Sequence, residues 1–528
     1  MAKQSFMRGA MVLGTASVST KILGMIIQVV VARELGASGF GLFRSVNPIF
    51  YMLLTISTLA LPPALSKVIA ENLALGNLAK IRRALKISNT TVTVLSVVFC
   101  VGAIALSPVI SAKWLDPRAF LPFVGALIRM PLVCLSSIMT GYYMGIQNQT
   151  PPAIAWILET AVRTLVTIPL ILLMNPHGIA YGALAVMIGA AVGEGAGYLY
   201  MLWCYYRRDR QLVYNDSATA QLARPELLKG TVRDLVDIAA PTTIRNILGI
   251  MAYAAQPFIV YYAFAKAGIA KMDATSLYGS FEMGIQLLLL PTVFSSSLSS
   301  VIIPAVSEAA AMRNARLVSR RLYQVIQVTF LIAFPATAFF LLSGNDLATS
   351  LYRDHLAGNV LVYIAPICVF MYIRDPLSAI LQGLNKATLS AAISLFTSGI
   401  RMYCIYYFVS QPGDGVYGIA KATAITAIVS ALLHLWFVRK YVSISINVGN
   451  LVKMMISTVM ATLVIHQIHA SLAAVSPVIQ VVLSVLLGGV VYFGALLYFK
   501  VIRVGMIERI PWIGYPISRI LRMLRFIS

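Results

Sequence analysis

Apolar runs of about twenty residues, separated by short polar breaks, recur along the whole chain. An α-helix of that length crosses a hydrocarbon core about 30 Å thick. The pattern predicts fourteen membrane-spanning helices, which begin near residues 5, 45, 87, 120, 151, 178, 235, 277, 322, 357, 387, 415, 448 and 475. The sequence therefore predicts an all-α, polytopic membrane protein.

Composition agrees with this prediction, because 59% of the 528 residues are hydrophobic and only 11% are charged. A soluble globular protein contains far more polar residues. The net charge of +23 would suggest nucleic acid binding in a soluble chain, but here the charge follows the loops. With a cytoplasmic N-terminus, 26 of the 41 Lys and Arg residues fall in cytoplasmic segments and 7 in the opposite loops. The positive-inside rule therefore places both termini in the cytoplasm and removes the reason to expect a nucleic acid partner.

An internal repeat with an offset of 238 residues indicates two related halves. The matched pairs are Gly145 with Gly383, Thr150 with Thr388, Ala153 with Ala391 and Arg163 with Arg401. Six helices per half is an even number, so the repeat is parallel, and a substrate path between the lobes is expected. The predicted organisation is an N-lobe of helices 1 to 6 (1–206), a cytoplasmic linker (207–234), a C-lobe of helices 7 to 12 (235–440), two further helices (441–500) and a basic cytoplasmic tail (501–528).

Seven charged residues are predicted near the middle of the membrane, namely Lys21, Arg129, Glu159, Arg163, Glu194, Arg245 and Arg401. A charge at a helix centre costs about 2.5 to 3.5 kcal/mol, so we expect these side chains to line a wet cavity. Five are cations, which favours an anionic substrate, and the arginine fork suits pyrophosphate. Glu159 and Arg163 lie four residues apart, so an intrahelical ion pair is an equally good interpretation of those two.

Metal, nucleotide and catalytic sites find little support in the sequence. The five cysteines all lie in predicted spans without ligand spacing, so neither a disulfide nor a metal site is expected. The glycines at 36, 39 and 41 are not followed by Gly-Lys-Ser/Thr, so a tight turn is a better interpretation than a phosphate-binding loop. The loops outside the cytoplasm are short and leave little room for a catalytic domain. We expect no cofactor and no enzymatic activity.

A series of short motifs occurs in a fixed order over roughly residues 1 to 440. It includes Lys21-Ile22-Leu23-Gly24, Pro63-Ala64-Leu65-Ser66-Lys67, Gly141-Tyr142, Pro241-Thr242-Thr243, Thr275-Ser276-Leu277-Tyr278-Gly279, Leu290-Pro291-Thr292 and Pro304-Ala305-Val306-Ser307-Glu308. This series resembles the stage V sporulation protein B group, in the lipid II flippase-like branch of the multidrug, oligosaccharidyl-lipid and polysaccharide exporter superfamily. Lys21 matches the basic residue of the first span in lipid II flippases, whereas Ile27 and Phe281 stand where those flippases have arginines.

The resemblance implies fourteen helices, alternating access by rocking of the lobes, and export of an undecaprenyl-pyrophosphate-linked glycan across the bacterial plasma membrane. Lipid II is the expected cargo, membrane lipids are expected contacts, and the coupling ion stays open. Two alternatives remain at this point. Glu159 and Glu194 are compatible with a cation-coupled multidrug exporter, and a membrane glycosyltransferase or ligase would use the same lipid.

The charge asymmetry yields a prediction for topology. In a cysteine-free background, Ala218→Cys lies in the predicted linker and Ile269→Cys in a predicted outer loop. An impermeant maleimide added to intact cells should label Ile269→Cys, and should label Ala218→Cys only after the membrane is permeabilised. Labelling of both positions in intact cells would disprove the predicted span count.

Overall fold

Every regular element of the computed structural model is helical over the residues it describes, which are 6–209, 225–443, 447–471 and 475–502. This confirms the all-α prediction. The described chain forms two compact units, Met1–Gly279 and Ser280–Ser528. Most of the predicted linker and nearly all of the predicted basic tail lie outside the described residues. The predicted lobe boundary at the linker stays a prediction. In the structure, the helix that begins at Pro225 packs on helices of the first unit.

The first unit contains eight described helices and the beginning of a ninth. They are α1 Phe6–Thr58, α2 Leu61–Ala74, α3 Leu78–Trp114, α4 Phe120–Ile128, α5 Met130–Gly145, α6 Thr150–Met174, α7 Ile179–Cys204, α8 Pro225–Lys266 and α9 Lys271–Leu288. The second unit contains the end of α9 and eight further described helices, which are α10 Thr292–Ala311, α11 Ala315–Tyr352, α12 His355–Ile364, α13 Cys368–Gly383, α14 Ala387–Val409, α15 Gly415–Tyr441, α16 Val448–Ser471 and α17 Pro477–Tyr498.

Twelve helical segments of the described chain are long and apolar enough to cross a membrane. The first of them, Ser19–Ala74, contains the end of the first predicted span and the second predicted span. They are joined at Gly36, where φ is 63° and ψ is −173°, a conformation that glycine adopts without steric cost. This supports the tight turn expected there. The predicted span near residue 277 is divided between α9 and α10, and neither belongs to the twelve. The count of fourteen is therefore approximate.

The outward faces of these helices are apolar, as a lipid environment requires. On α3, Val94, Val97, Val98 and Val101 are all exposed. In water such a continuous apolar surface would favour aggregation, whereas in a bilayer it contacts hydrocarbon. The protein is a multi-pass membrane protein.

The internal repeat appears as a repeated order of helices. Helices α5 and α13 have 16 residues each and keep the sequence offset of 238 throughout. Asn77 before α3 and Asn314 before α11 act as equivalent N-caps, since each side chain accepts a hydrogen bond from the third following backbone N–H, at 3.1 and 3.0 Å. The same sequence signal therefore begins the helix that contains the third predicted span of each lobe.

Glycines allow the repeated helix pairs to pack closely. A Cβ atom on Gly145 of α5 would lie 2.7 Å from Cβ of Ile69 on α2. A Cβ atom on the equivalent Gly383 of α13 would lie 2.9 Å from the Ile303 carbonyl oxygen on α10. Both distances are shorter than van der Waals contact. The two glycines thus have the same packing role, one in each unit.

The last two helices pack on α11 of the second unit. Tyr492 of α17 donates a hydrogen bond to the Leu331 carbonyl, at 2.8 Å. His469 of α16 contacts Asp346 through Nδ1 at 3.2 Å and Ser343 through Nε2 at 2.9 Å, both on α11. The order Asp346, His469 and Ser343 is that of the side chains in a hydrolase triad. Ser343 is fully buried within a helix, however, where a substrate has no access. We therefore assign the contact to holding α16 against α11.

The glycine contacts predict large effects of small substitutions. Gly145→Ala and Gly383→Ala should each destabilise the protein by about 1 to 3 kcal/mol, because the added methyl group overpacks a helix contact. The control is Gly102→Ala on α3, where a Cβ atom would meet no heavy atom within 4 Å. Thermal stability of the purified protein, measured by fluorescence-detected size exclusion, checks the prediction. Equal melting temperatures for all three variants would contradict it.

Candidate functional site

Four of the seven predicted site residues converge inside the first unit. Arg129 lies at the break between α4 and α5, Glu159 and Arg163 lie on α6, and Glu194 lies on α7. We call these four residues the charged cluster. Arg129 and Glu194 are only 7% and 9% exposed. Charges that are far apart in the sequence thus share one buried site.

The backbone at these positions explains the convergence. Gly189, Gly193 and Gly197 follow one another at four-residue spacing on α7, and small residues at this spacing allow two membrane helices to approach. A Cβ atom on Gly193 would lie 2.6 Å from the Glu159 carbonyl oxygen. Helix α6 therefore packs directly on this face and places its Glu159 beside Glu194.

An ion pair and electrostatic interactions connect the charged cluster. Arg163 forms an ion pair and a hydrogen bond with Glu159 through its Nη2 atom, as the four-residue spacing predicts. Glu159 also interacts electrostatically with Glu194. The Arg129 guanidinium lies 4.2 Å from the ring centroid of Phe50 on α1, a cation–π contact. Arg129 also interacts electrostatically with Arg163 and with both glutamates.

Two guanidinium hydrogen-bond donors of the charged cluster remain unused by the described residues. The Nε atoms of Arg129 and Arg163 are buried and have no hydrogen-bond acceptor in the part of the chain that the structure describes. A buried donor without an acceptor costs about 1 to 3 kcal/mol. These atoms point to an acceptor that a ligand or water supplies.

The other three predicted residues lie elsewhere. Lys21 on α1 and Arg245 on α8 are exposed. Arg401 is half-buried on α14 in the second unit. With its glutamates ionised, the charged cluster has no net formal charge. The excess of positive charge in the predicted set therefore comes from Lys21, Arg245 and Arg401.

Arg401 lines a cavity of about 370 Å³ within the second unit. Arg374 and Asp375 of α13 also line it, and the Arg374 Nη2 atom lies 2.9 Å from the Asp375 Oδ1 atom. This adjacent pair is predictable from the sequence, but its place in a cavity is not. Most of the remaining wall consists of hydroxyl side chains, which are Thr292, Ser394, Thr397, Ser398, Thr423, Thr426 and Ser430. The sequence signal for this wall is a set of Ser and Thr residues spaced three or four apart on α14 and α15.

A polar network that sequence analysis did not predict joins α3, α8 and α9 within the first unit. Asp116, just after α3, is fully buried and forms an ion pair with Arg118 at 2.7 Å. Thr275 of α9 donates a hydrogen bond to Asp116 at 2.8 Å, and Tyr261 of α8 contacts the Thr275 hydroxyl at 2.8 Å. Burial alone would raise the pKa of Asp116, but the hydrogen bonds from Arg118 and Thr275 hold that pKa below its usual value. Asp116 is therefore an anion that ties these helix ends together.

Comparisons with known proteins agree with this architecture. Residues 6–310 match the family model described as polysaccharide biosynthesis protein. The chain is 29% identical to stage V sporulation protein B of Bacillus subtilis (strain 168) over 523 residues, which cover 98% of this chain and 100% of that protein. It is 25% identical to the lipid II flippase MurJ of the same organism over 409 residues, which cover 72% and 73% of the two chains. The resemblance found in the sequence motifs is confirmed.

Solved structures show the same fold. The inward closed conformation of the lipid II flippase MurJ superposes with a TM-score of 0.69 at 13% identity, covering 93% of this chain and 100% of that chain. The inward-facing conformation of a multidrug resistance MATE family transporter of the MOP superfamily superposes with a TM-score of 0.65 at 14% identity, covering 82% and 98% of the chains. At these identities the likeness concerns the fold.

Proposed function

Because the chain belongs to the polysaccharide biosynthesis protein family, we propose that it is a flippase for an undecaprenyl-pyrophosphate-linked glycan in the bacterial plasma membrane. The cargo that we propose is lipid II, the peptidoglycan precursor, and both chain termini lie on the cytoplasmic side. Similarity to a lipid II flippase over 72% of the chain supports this class of substrate. Transport requires no covalent step, because the lipid has the same chemical structure on both sides of the membrane.

The observation that carries the proposal is the pair of unused guanidinium donors in the charged cluster. Arg129 and Arg163 each keep a buried Nε–H group without an acceptor among the described residues. Pyrophosphate offers several anionic oxygens, and guanidinium groups bind such oxygens through charge-assisted hydrogen bonds. A pyrophosphate headgroup satisfies both donors, which explains why an apolar span contains them.

The two glutamates give the empty carrier a stable state. Without cargo, the Glu159 carboxylate pairs with the Arg163 guanidinium, so the charge of this half-buried arginine is compensated. Arriving pyrophosphate competes with the glutamates for the same donors. Exchange of one anionic acceptor for another keeps the arginines neutralised throughout the transport cycle.

A cation-coupled drug exporter is the second candidate, and the electrostatic interaction between the carboxyl groups of Glu159 and Glu194 favours it. A carboxyl pair in an apolar environment suits a proton or an organic cation. Arg129 and Arg163 in the same cluster oppose a cationic substrate through charge repulsion. The two candidates therefore make opposite predictions for substitution of these arginines.

Reconstitution into liposomes with fluorescent lipid II tests the proposal. The wild-type protein should move the lipid to the other leaflet, scored by access of a membrane-impermeant quencher. Arg129→Gln and Arg163→Gln should each lower the rate at least about tenfold, because each removes a charged hydrogen-bond donor from the headgroup. The matched control is Arg320→Gln on α11, an exposed arginine outside the charged cluster, which should transport at the wild-type rate.

Two results would contradict the proposal. If both cluster variants move lipid II as fast as the wild type, the arginines have only a structural role. If the wild-type protein expels ethidium from cells, the glutamine variants expel it faster, and lipid II does not move, the drug-exporter interpretation replaces ours. In cells depleted of their own lipid II flippase, the wild-type chain should restore wall synthesis.

A further inference from the structure

Five of the hydroxyl groups around the cavity of the second unit share one orientation. Thr397 donates its proton to the Ile393 carbonyl at 2.9 Å, Thr423 donates to the Ile419 carbonyl at 2.9 Å, and Thr426 donates to the Ala422 carbonyl at 2.7 Å. Ser394 and Ser398 do the same at 3.0 and 2.8 Å. Each hydroxyl has a single proton, and a backbone carbonyl of the same helix already accepts it.

This arrangement fixes the chemistry that the cavity presents. A hydroxyl that has donated its proton offers only its oxygen lone pairs to a neighbour, so the wall formed by α14 and α15 presents hydrogen-bond acceptors. Asp375 adds a carboxylate acceptor. Arg374 and Arg401 contribute guanidinium donors to the same cavity. The complementary ligand carries several O–H or N–H donors together with at least one acceptor group.

A sugar has this composition, because its ring carries several hydroxyl donors and its ring and substituent oxygens accept hydrogen bonds. The cavity volume of about 370 Å³ lies within the range of small-molecule pockets, which is about 300 to 1,000 Å³. Thr397 is ten residues from the start of the 23-residue helix α14, so the wall lies near the middle of a candidate span. The hydroxyl lone pairs at that depth remain available to accept hydrogen bonds from a polar ligand or water.

The repeat strengthens this inference, because position 159 of the first unit corresponds to position 397 of the second at the offset of 238. The first unit has Glu159 four residues before Arg163, whereas the second has Thr397 four residues before Arg401. An ionic partner is thus replaced by a neutral acceptor at equivalent places. The two units therefore offer different chemistry on a common scaffold, charge in the first and hydroxyl oxygens in the second.

We propose that this cavity is a sugar-binding subsite, in which Thr397, Thr423 and Thr426 accept hydrogen bonds from the glycan of the lipid-linked substrate. The subsite rests on the proposed function for the identity of its natural ligand. It adds selection among lipids, since a pyrophosphate lipid without sugar has no glycan hydroxyl groups to donate to the hydroxyl wall.

Equilibrium binding to the full-length protein in nanodiscs tests the subsite with two probes, fluorescent lipid II and fluorescent undecaprenyl pyrophosphate, which has no sugar. The triple variant Thr397→Val, Thr423→Val and Thr426→Val removes three acceptors with little change in side-chain shape. Its affinity for lipid II should fall at least about tenfold, because the variant loses three neutral hydrogen-bond acceptors for the sugar. Its affinity for undecaprenyl pyrophosphate should change by less than about twofold.

The matched control is Thr242→Val, Thr337→Val and Thr462→Val. These threonines also donate to a carbonyl of their own helix, at 2.9, 2.7 and 2.7 Å, but do not line the cavity. Both affinities of this control should match the wild type. Elution volume and melting temperature of each variant confirm that it folds. Arg163→Gln should weaken both lipids equally, which separates the charged cluster from the sugar subsite.

Four results are decisive against one or both proposals. An unchanged ratio of the two affinities in the cavity variant overturns the sugar subsite. If the cavity variant binds both lipids equally more weakly than the wild type in sodium buffer, but not in potassium buffer, the cavity is a cation site instead. If the wild type binds no lipid II but binds free N-acetylglucosamine, and the cavity variant loses that binding, the flippase proposal fails while the sugar subsite stands. If the wild type binds neither, both proposals fail.

Discussion

A charge in the middle of a membrane-spanning helix has to be compensated, and this constraint governs the first unit of the protein. Water cannot reach a lipid-facing guanidinium at that depth, so its desolvation costs several kcal/mol unless an anion or a polar cavity is adjacent. The chain meets the constraint by packing α6 and α7 at glycines and placing Glu159 and Glu194 beside Arg129 and Arg163. The compensation is incomplete, because two Nε donors have no acceptor among the described residues. This incomplete compensation is the basis of our proposal that the charged cluster binds an anion.

The two units show how a duplicated scaffold acquires two kinds of site. Gly145 and Gly383 keep the same close packing, and Asn77 and Asn314 keep the same N-cap. The side chains that face the interior of each unit have diverged. The first unit combines arginines with carboxylates, and the second combines arginines with an acceptor wall of hydroxyls. A lipid-linked glycan has both a pyrophosphate and sugars, and we propose that the first unit suits the pyrophosphate and the second suits a sugar.

Much of the fold could be predicted from the sequence, because spans depend on local hydropathy and the repeat on a constant offset. Placement of the candidate site was only partly predictable. Counting residues from a span's end gives depth, but it does not give the face of the helix, which is why Lys21 and Arg245 prove exposed while Arg129 is buried. The pair Glu159–Arg163 was predictable from its spacing within one helix. The hydroxyl wall was not predictable from the sequence, because it depends on how α14 and α15 pack.

The measurement that tests the central claim most directly is a charge exchange within the charged cluster. The double variant Glu159→Arg and Arg163→Glu retains an ion pair on α6 but moves the guanidinium by about one helical turn, roughly 5 to 6 Å. If Arg163 binds pyrophosphate together with Arg129, the double variant keeps a melting temperature close to wild type and loses at least about tenfold in lipid II transfer in liposomes. Transfer at the wild-type rate by the exchanged pair would show that α6 needs only a neutral ion pair, and would contradict the account.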